Sequence, residues 1–255
     1  EIEEILKEMK LKSVNPDVIT YTSIIKVLCK SQQYHKAEQI LLQMEENEIT
    51  PNVFTYNSLI NALCESQQLK KAEGLITHMK SKQIMPDVVT YSSIIKVLCK
   101  LNLLEKAKEM MRIMTEEGIQ PNVYTYSTII SSLCKVGKVN EAIKMMDQMR
   151  AEDIVPNVFT YTSIITGLCK YRKYRAAEEM WEQMVSQNIQ PNAVTYTAMI
   201  SSLCRRNLFD SALKYLQTMT ENNISHSPVS QKIIAAAFQN SPELHKQAIK
   251  LLFDK

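Results

Sequence analysis

NPDVITYTSIIKVLCK, residues 15–30, is followed at a fixed distance by TPNVFTYNSLINALCE (50–65) and MPDVVTYSSIIKVLCK (85–100). QPNVYTYSTIISSLCK (120–135), VPNVFTYTSIITGLCK (155–170) and QPNAVTYTAMISSLCR (190–205) continue the template without an insertion. Proline recurs at 16, 51, 86, 121, 156 and 191 and tyrosine at 21, 56, 91, 126, 161 and 196, so the period is 35 residues. Self-similarity at a fixed spacing of this size marks a stack of repeats. Each unit is too small to bury its apolar face alone and shares a core with its neighbours.

Each unit reads as two helices. Tyr21, Ile24, Ile25 and Leu28 follow i, i+3, i+4, i+7 spacing and lie on one face of a first helix. Pro16 and Asp17 precede it, where a missing N–H costs nothing and a short polar side chain can cap free amides. The polar Ser31-Gln32-Gln33 breaks the period, and Ala37, Ile40, Leu41 and Met44 mark a second helix. Ala37 recurs as Ala72, Ala107, Ala142, Ala177 and Ala212, a methyl that lets the two helices approach closely. The fold class expected is all-α, a helix-turn-helix repeat stack in which the repeated Tyr, Met and Cys are core.

Composition agrees. The chain of 255 residues is 45% hydrophobic, with only 4 glycines. A net charge of +3 permits an anionic partner without requiring one. The six cysteines, Cys29, Cys64, Cys99, Cys134, Cys169 and Cys204, share the repeat period, form no CxxC pair and have no histidine at ligand spacing. They read as small buried thiols rather than a disulfide framework or a metal site, and reduced thiols suit an intracellular compartment. No apolar run reaches membrane-spanning length. The chain opens at Glu1 without Met, inside a repeat, and is read as a fragment with any targeting peptide upstream. Residues 1–17 are expected to hold the second half of a truncated repeat, 1–14 as its helix. Residues 228–255 are expected to form a degenerate capping repeat that keeps Ile233, Ile234 and Ala237, then Ala248, Leu251 and Leu252.

Period 35, the VxTY start, the LCK close and the Pro-Asn or Pro-Asp ending resemble the P-type pentatricopeptide repeat family over residues 18–227. The resemblance implies a right-handed superhelical α-solenoid with six repeats at 18–52, 53–87, 88–122, 123–157, 158–192 and 193–227. It also implies single-stranded RNA as partner, one base per repeat, with the N-terminus toward the RNA 5′ end. In the family the residue after the Tyr and the closing Asn or Asp together choose the base, and the second residue of the repeat clamps it. Acceptor-only Asp suits the ring N–H of guanine or uracil, whereas Asn can donate to the bare ring nitrogen of adenine or cytosine. Thr or Ser after the Tyr goes with purines and Asn with pyrimidines.

On that resemblance Thr22 with Asn52 reads adenine and Asn57 with Asp87 reads uracil. Ser92 with Asn122, Ser127 with Asn157 and Thr162 with Asn192 each read adenine, giving a core 5′-AUAAA-3′. Thr197 closes on Ser227, where His226-Ser227 replaces Pro-Asn and leaves the sixth base unassigned. Asp17 closes the leading half-repeat and prefers guanine or uracil. Capping is the plain alternative for these polar residues, and both roles can hold at once. The clamp positions are Ile19, Phe54, Val89, Tyr124, Phe159 and Val194, suited either to packing on base faces or to an inter-repeat core. Lys30, Lys100, Lys135, Lys170 and Arg205 end the first helices, with Glu65 the exception. They approach phosphates in the resemblance, or complement helix dipoles in the plain reading.

No Gly-rich phosphate loop, HxE with PCxxC deaminase signature or nucleophile motif occurs. An enzyme, a cofactor, a small-molecule substrate and a membrane are accordingly not expected. The alternatives are a protein–protein scaffold in a ribonucleoprotein such as a mitochondrial ribosome, or the recognition array of an RNA-processing enzyme. Family resemblance implies a mitochondrion or chloroplast, although the sequence itself carries no address.

Overall fold

The computed structural model describes Met9, residues 11–12, 14–225, 227–239 and 241–253. Among them are fourteen helices and no strand. They are α1 (Val18–Lys30), α2 (Tyr34–Glu46), α3 (Val53–Glu65), α4 (Leu69–Ser81), α5 (Val88–Lys100), α6 (Leu104–Glu116) and α7 (Val123–Lys135). Next come α8 (Val139–Ala151), α9 (Val158–Lys170), α10 (Tyr174–Ser186), α11 (Ala193–Arg205), α12 (Phe209–Glu221), α13 (Pro228–Ala237) and α14 (Pro242–Phe253). The chain forms two compact units, Glu1–Thr125 and Tyr126–Lys255. Within each, helices pair in chain order, and the first helix of a pair packs on its partner and on neighbouring pairs. Of the leading half-repeat expected at 1–17, residues 1–8, Lys10 and Ser13 lie outside the described residues, as does His226.

The twelve helices α1–α12 are each 13 residues long, because the same signals start and stop them. The first helix of each of the first six pairs begins where an Asx side chain accepts the amide three residues on. Asp17 receives Thr20 N–H at 2.8 Å, Asn52 receives Thr55 at 2.9 Å, and Asn157 receives Thr160 at 3.1 Å. The buried prolines 16, 51, 86, 121, 156 and 191 stand just before these caps, where their missing N–H is not needed.

Helices stop at a residue in the left-handed region. Gln32 has φ 59°, and the amide of Gln33 returns to Leu28 O at 2.9 Å. Glu48 has φ 59°, and Ile49 N–H returns to Met44 O at 3.0 Å. This six-to-one bond satisfies carbonyls that the helix end leaves open. After every second helix of the six pairs the following residue is isoleucine: Ile49, Ile84, Ile119, Ile154, Ile189 and Ile224. Each is half-buried, supplying the apolar contact that accompanies this termination. Among the described residues ten left-handed positions carry a non-glycine residue, and glycine holds two, Gly118 and Gly137.

The core follows the repeat columns. The six period tyrosines, the alanine column and the second-helix methionines Met44, Met79, Met114, Met149, Met184 and Met219 are buried. Each alanine of the column is completely buried, so a larger side chain there would hold the helices apart. The tyrosines also reach the far end of their own pair. Tyr91 Oη donates to Glu117 at 2.7 Å and Tyr161 Oη to Gln187 at 2.8 Å, while Tyr21 Oη accepts from Asn47 at 3.1 Å. One ring thereby ties the start of the first helix to the end of the second. Ile24 is only half-buried, unlike its buried counterparts Leu59 and Ile94. In α13 and α14, Ile234, Ala248 and Leu252 enter the core as expected and Leu251 and Ala237 pack against it. Ile233 instead is exposed, because Phe238, one turn after Ile234, fills that face.

Two substitutions test the termination scheme. Gly137 has φ 87°, and a Cβ there would lie 2.8 Å from the Tyr171 ring, so Gly137→Ala should destabilise the chain by roughly 1–2 kcal/mol. Gln67, exposed at φ 61°, gives the opposite sign. Gln67→Gly should stabilise by about 0.5–1 kcal/mol, the relief of left-handed strain less the entropy of glycine. Urea denaturation followed by circular dichroism measures both, and equal effects of one sign would refute the scheme.

Candidate nucleic-acid interface

Consecutive pairs meet through a repeated hydrogen-bond chain. In the first unit Thr22 Oγ1 lies 2.7 Å from Thr55 Oγ1, which donates to Asn52 Oδ1 at 3.0 Å. Ser92 Oγ lies 2.9 Å from Thr125 Oγ1, and Thr125 donates to Asn122 Oδ1 at 3.1 Å. In the second unit Ser127 meets Thr160 at 2.7 Å and Thr160 reaches Asn157 at 3.1 Å; Thr162 meets Thr195 at 2.7 Å and Thr195 reaches Asn192 at 2.9 Å. In these four repeats the residue after the Tyr is therefore joined to the closing residue of its repeat, through the threonine three places beyond that closing residue. Sequence reasoning missed this threonine; its recurrence in every VxTY start was the available signal.

Asn57 differs because its side chain is longer. Its Nδ2 donates directly to Asp87 Oδ1 at 3.0 Å, while Thr90 Oγ1 donates to Asn57 Oδ1 at 2.6 Å. Partial burial pushes the Asp87 carboxyl up, but bonds from the Thr90 amide, Asn57 and the Thr90 hydroxyl outweigh it and hold the pKa below the ordinary carboxylate value. A depressed acid contributes stability above that ordinary value and loses it only as pH falls beneath. Asp87 is thus an anion at neutral pH.

These bonds decide what each closing residue shows to solvent. Each Asn Oδ1 takes the N–H and the hydroxyl of its threonine, which uses both lone pairs, and Asn192 Oδ1 takes the Val194 N–H as well. Among the described residues the Nδ2 groups of Asn52, Asn122, Asn157 and Asn192 meet no protein acceptor, and the Thr90 amide, the Thr90 hydroxyl and Asn57 all meet Asp87 at its Oδ1. The asparagines present donors and Asp87 presents an acceptor. The four asparagines are exposed, whereas Asn57, Ser92, Ser127 and Thr162 are buried.

All six expected clamp residues are exposed, from Phe54 at 76% down to Val89 at 47%. The inter-repeat core reading of those positions therefore fails, because the helix-start backbone turns them out of the stack. In the first unit a groove of about 530 Å³ gathers the elements expected from sequence: Val89 and Tyr124, Ser92 and Asn122, and Lys100. Lys96, one turn before Lys100, lines the same groove and was not singled out by sequence; its i, i+4 relation to Lys100 was the signal. Such a groove can hold a flat aromatic group between two apolar side chains, with its polar edge at the cap and an anion near the lysines.

Lys30, Lys100, Lys135, Lys170 and Arg205 are exposed at their helix ends. Lys170 Nζ donates to Lys135 O at 3.3 Å and Arg205 to Cys169 O at 3.4 Å, so these two also close preceding carbonyls. Thr197 and Ser227 are not joined. Thr197 Oγ1 donates to Ala193 O at 2.6 Å, and Ser227 caps α13 through Ser230 N–H at 3.1 Å. Asp17 caps α1, as expected for a closing residue.

All six cysteines are buried and unbridged. Burial pushes the Cys29 thiol up to about 11 and the Cys64, Cys134 and Cys204 thiols up to about 12. Among the described residues no group of three His, Cys, Asp or Glu could hold a metal, and no helix is long and apolar enough to cross a membrane.

The PPR repeat family matches residues 16–65, 51–100, 86–135, 126–170 and 161–205, and a PPR repeat matches 194–224. No curated protein matches in sequence. Among solved structures the chain is similar to the maize pentatricopeptide repeat protein PPR10 in complex with an 18-nt psaJ RNA element, at 18% identity and TM-score 0.61 over 98% of this chain. It spans 42% of that protein's length. The PPR domain of Arabidopsis thaliana protein-only RNase P 1 in complex with tRNA is similar at 14% identity and TM-score 0.57, over 75% of this chain and 96% of that one. Arabidopsis thaliana nuclear proteinaceous RNase P 2 is similar at 16% identity and TM-score 0.60, over 73% and 42%. At these identities the likeness is one of fold.

The coupling threonine is testable without any ligand. Thr90→Val strands the buried Asn57 Oδ1 and should destabilise by roughly 1–3 kcal/mol. Thr20→Val removes only an exposed hydroxyl that meets Asp17, and should change stability much less. Urea melts of the two variants should differ in midpoint; identical midpoints would deny the coupling.

Proposed function

The chain belongs to the PPR repeat family, and on that premise we propose that it binds single-stranded RNA, one base per repeat, with a preferred core 5′-AUAAA-3′. The observation that carries the reading is the division of labour within each closing side chain. One atom is spent on capping, and the other, which alone distinguishes Asn from Asp, is left toward solvent. An outward Nδ2 donates to adenine N1 and an outward Asp87 Oδ2 accepts from uracil N3–H.

In this reading the repeats are the six segments of 18–227. Asn52, Asp87, Asn122, Asn157 and Asn192 meet the base edge, while Thr22, Asn57, Ser92, Ser127 and Thr162 hold them in place from behind. Asn57 reaches Asp87 directly and fills more of the slot than Ser or Thr does, which supports a pyrimidine there. Ile19, Phe54, Val89, Tyr124, Phe159 and Val194 pack on base faces, and exposed apolar residues at repeat spacing have that use. Lys30, Lys100, Lys135, Lys170 and Arg205 neutralise phosphates. PPR10 and the RNase P 1 PPR domain were each crystallised with RNA, which supports RNA as the ligand class here. The chain then acts as a recognition array rather than an enzyme, in the stability, processing or translation of mitochondrial or chloroplast transcripts. A ribonucleoprotein scaffold is the competing reading; it has no use for outward cap atoms beside exposed apolar side chains.

Asp87→Asn exchanges the outward acceptor for a donor and leaves a capping residue in place. The preferred second base should move from uracil toward cytosine by about 1–3 kcal/mol, on the scale of good base-edge pairs. Competition between AUAAA and ACAAA strands measures it, with thermal melting as control; an unchanged uracil preference in a normally melting variant sinks the assignment. Lys100→Ala should weaken all sequences alike and lower the log–log salt slope by roughly 0.7. An effect confined to one base would contradict its phosphate role.

A further inference from the structure

The turn between the two helices of a pair is neutral in the first two repeats, Ser31-Gln32-Gln33 and Ser66-Gln67-Gln68. In the fifth it reads Tyr171-Arg172-Lys173, flanked by Lys170 and Arg175, and the next turn opens with Arg205-Arg206. The backbone is the same: φ is 59° at Gln32, 61° at Gln67 and 59° at Arg172. The clefts beside these turns are also alike. One of about 470 Å³ is lined by Gln32, Gln33, His35 and Gln68 with two lysines, Lys36 and Lys71. One of about 560 Å³ is lined by Arg172, Lys173, Arg175 and Arg206, with Glu179 the one acid. The fold builds this turn from glutamines, so it has no structural need of the cations.

Their charge is poorly offset. Among the described residues the Arg172 guanidinium meets no protein acceptor, and Lys173 Nζ donates at 2.7 Å to the neutral Asn140. Arg175, with a side chain 93% exposed, pairs with Glu179, and Arg206 pairs with Glu178. Two acids, Glu178 and Glu179, pair with members of this group of six cations. Two of the cations are held by rings: Lys170 lies 5.3 Å from the Tyr171 centroid and Arg206 5.5 Å from that of Tyr174. Tyr171 is itself fixed by its hydroxyl on Lys135 O at 3.0 Å. Positioned guanidinium forks match phosphate oxygens. Lys170 and Arg205 belong both to this edge and to the phosphate column proposed above.

We propose that the basic edge of residues 170–175 and 205–206 is a second RNA contact, which grips phosphates of the strand beyond the read bases on its 3′ side. This rests on the RNA-binding reading and on the strand polarity implied by family resemblance. It adds affinity and length dependence without adding base choice.

The triple variant Arg172→Gln, Lys173→Gln, Arg175→Asn tests it, because these residues already stand at the equivalent Gln32, Gln33 and Asn140. The probes are a short AUAAA strand and the same strand extended by uridines at either the 3′ or the 5′ end. Wild type should bind the 3′-extended strand more tightly than the other two. The variant should lose that difference, melt normally and bind the short strand as wild type does. With three phosphates lost, the salt slope for the 3′-extended strand should fall by about 2, so the wild-type advantage shrinks about 20-fold between about 50 and about 200 mM salt. Equal binding of all three strands by wild type and variant overturns the proposal, as does an equal loss on short and extended strands. Poly-glutamate removing the 3′ advantage as effectively as free RNA would assign the edge to an acidic protein, and also overturns it. Failure of wild type to distinguish AUAAA from its complement is a separate result, which would instead refute base reading.

Discussion

The structure depends on a hydrogen bond from a backbone amide to the side chain of the Asx residue that ends the preceding repeat. That bond starts the first helix of each pair. Through the intervening threonine it also fixes the residue after the tyrosine of the previous pair. A cap of this kind contributes on the order of 1 kcal/mol. Its larger effect is geometric, since a side chain held at one oxygen has its other atom aimed. Asn and Asp cap equally well, so the fold tolerates either, and the difference between them is available for another use.

Most of the fold was legible in the sequence because the core columns recur in register. Tyr21, Ala37 and Cys29 each have counterparts at every period, and all proved buried. What was not legible has physical reasons. Ser31-Gln32-Gln33 reads as generic polar loop, and nothing in glutamine announces a left-handed φ, which glycine or asparagine adopts more readily. Ile49 and its counterparts lie outside the helical stripe, so a search for amphipathic spacing passes over them. Phe238 was missed because the terminal pair has no in-register template. In the site, the polar pairs were visible but their connection was not: a buried threonine hydroxyl such as Thr90 looks in sequence like an ordinary strand-favouring residue at a helix start. The exposure of Phe54 or Val194 was undecidable because an apolar residue at a first turn suits a core or a solvent face equally.

Electrostatics plays a small part in holding the chain together. The ion pairs on α6, Arg112 with Glu109 and Glu116, are exposed and sit within one helix, where solvent and salt screen such contacts. The charges at helix ends and turns make a few such local contacts, as Lys170 does with Lys135 O and Arg206 with Glu178, but the backbone there does not require them. The same backbone carries Lys100 in one repeat and Glu65 in another, and Gln32 in one turn and Arg172 in another. Charge therefore varies along a scaffold whose packing does not register it, as expected of a surface that serves a ligand.

The cysteine column has a consequence of its own. Each of the first six pairs carries one buried thiol near the end of its first helix, and those with raised pKa resist reagents while the pair stays closed. When a pair opens, its thiol returns to ordinary reactivity. Those six pairs thus contain one chemical reporter each. The rates at which individual cysteines become labelled would resolve which pairs open most easily.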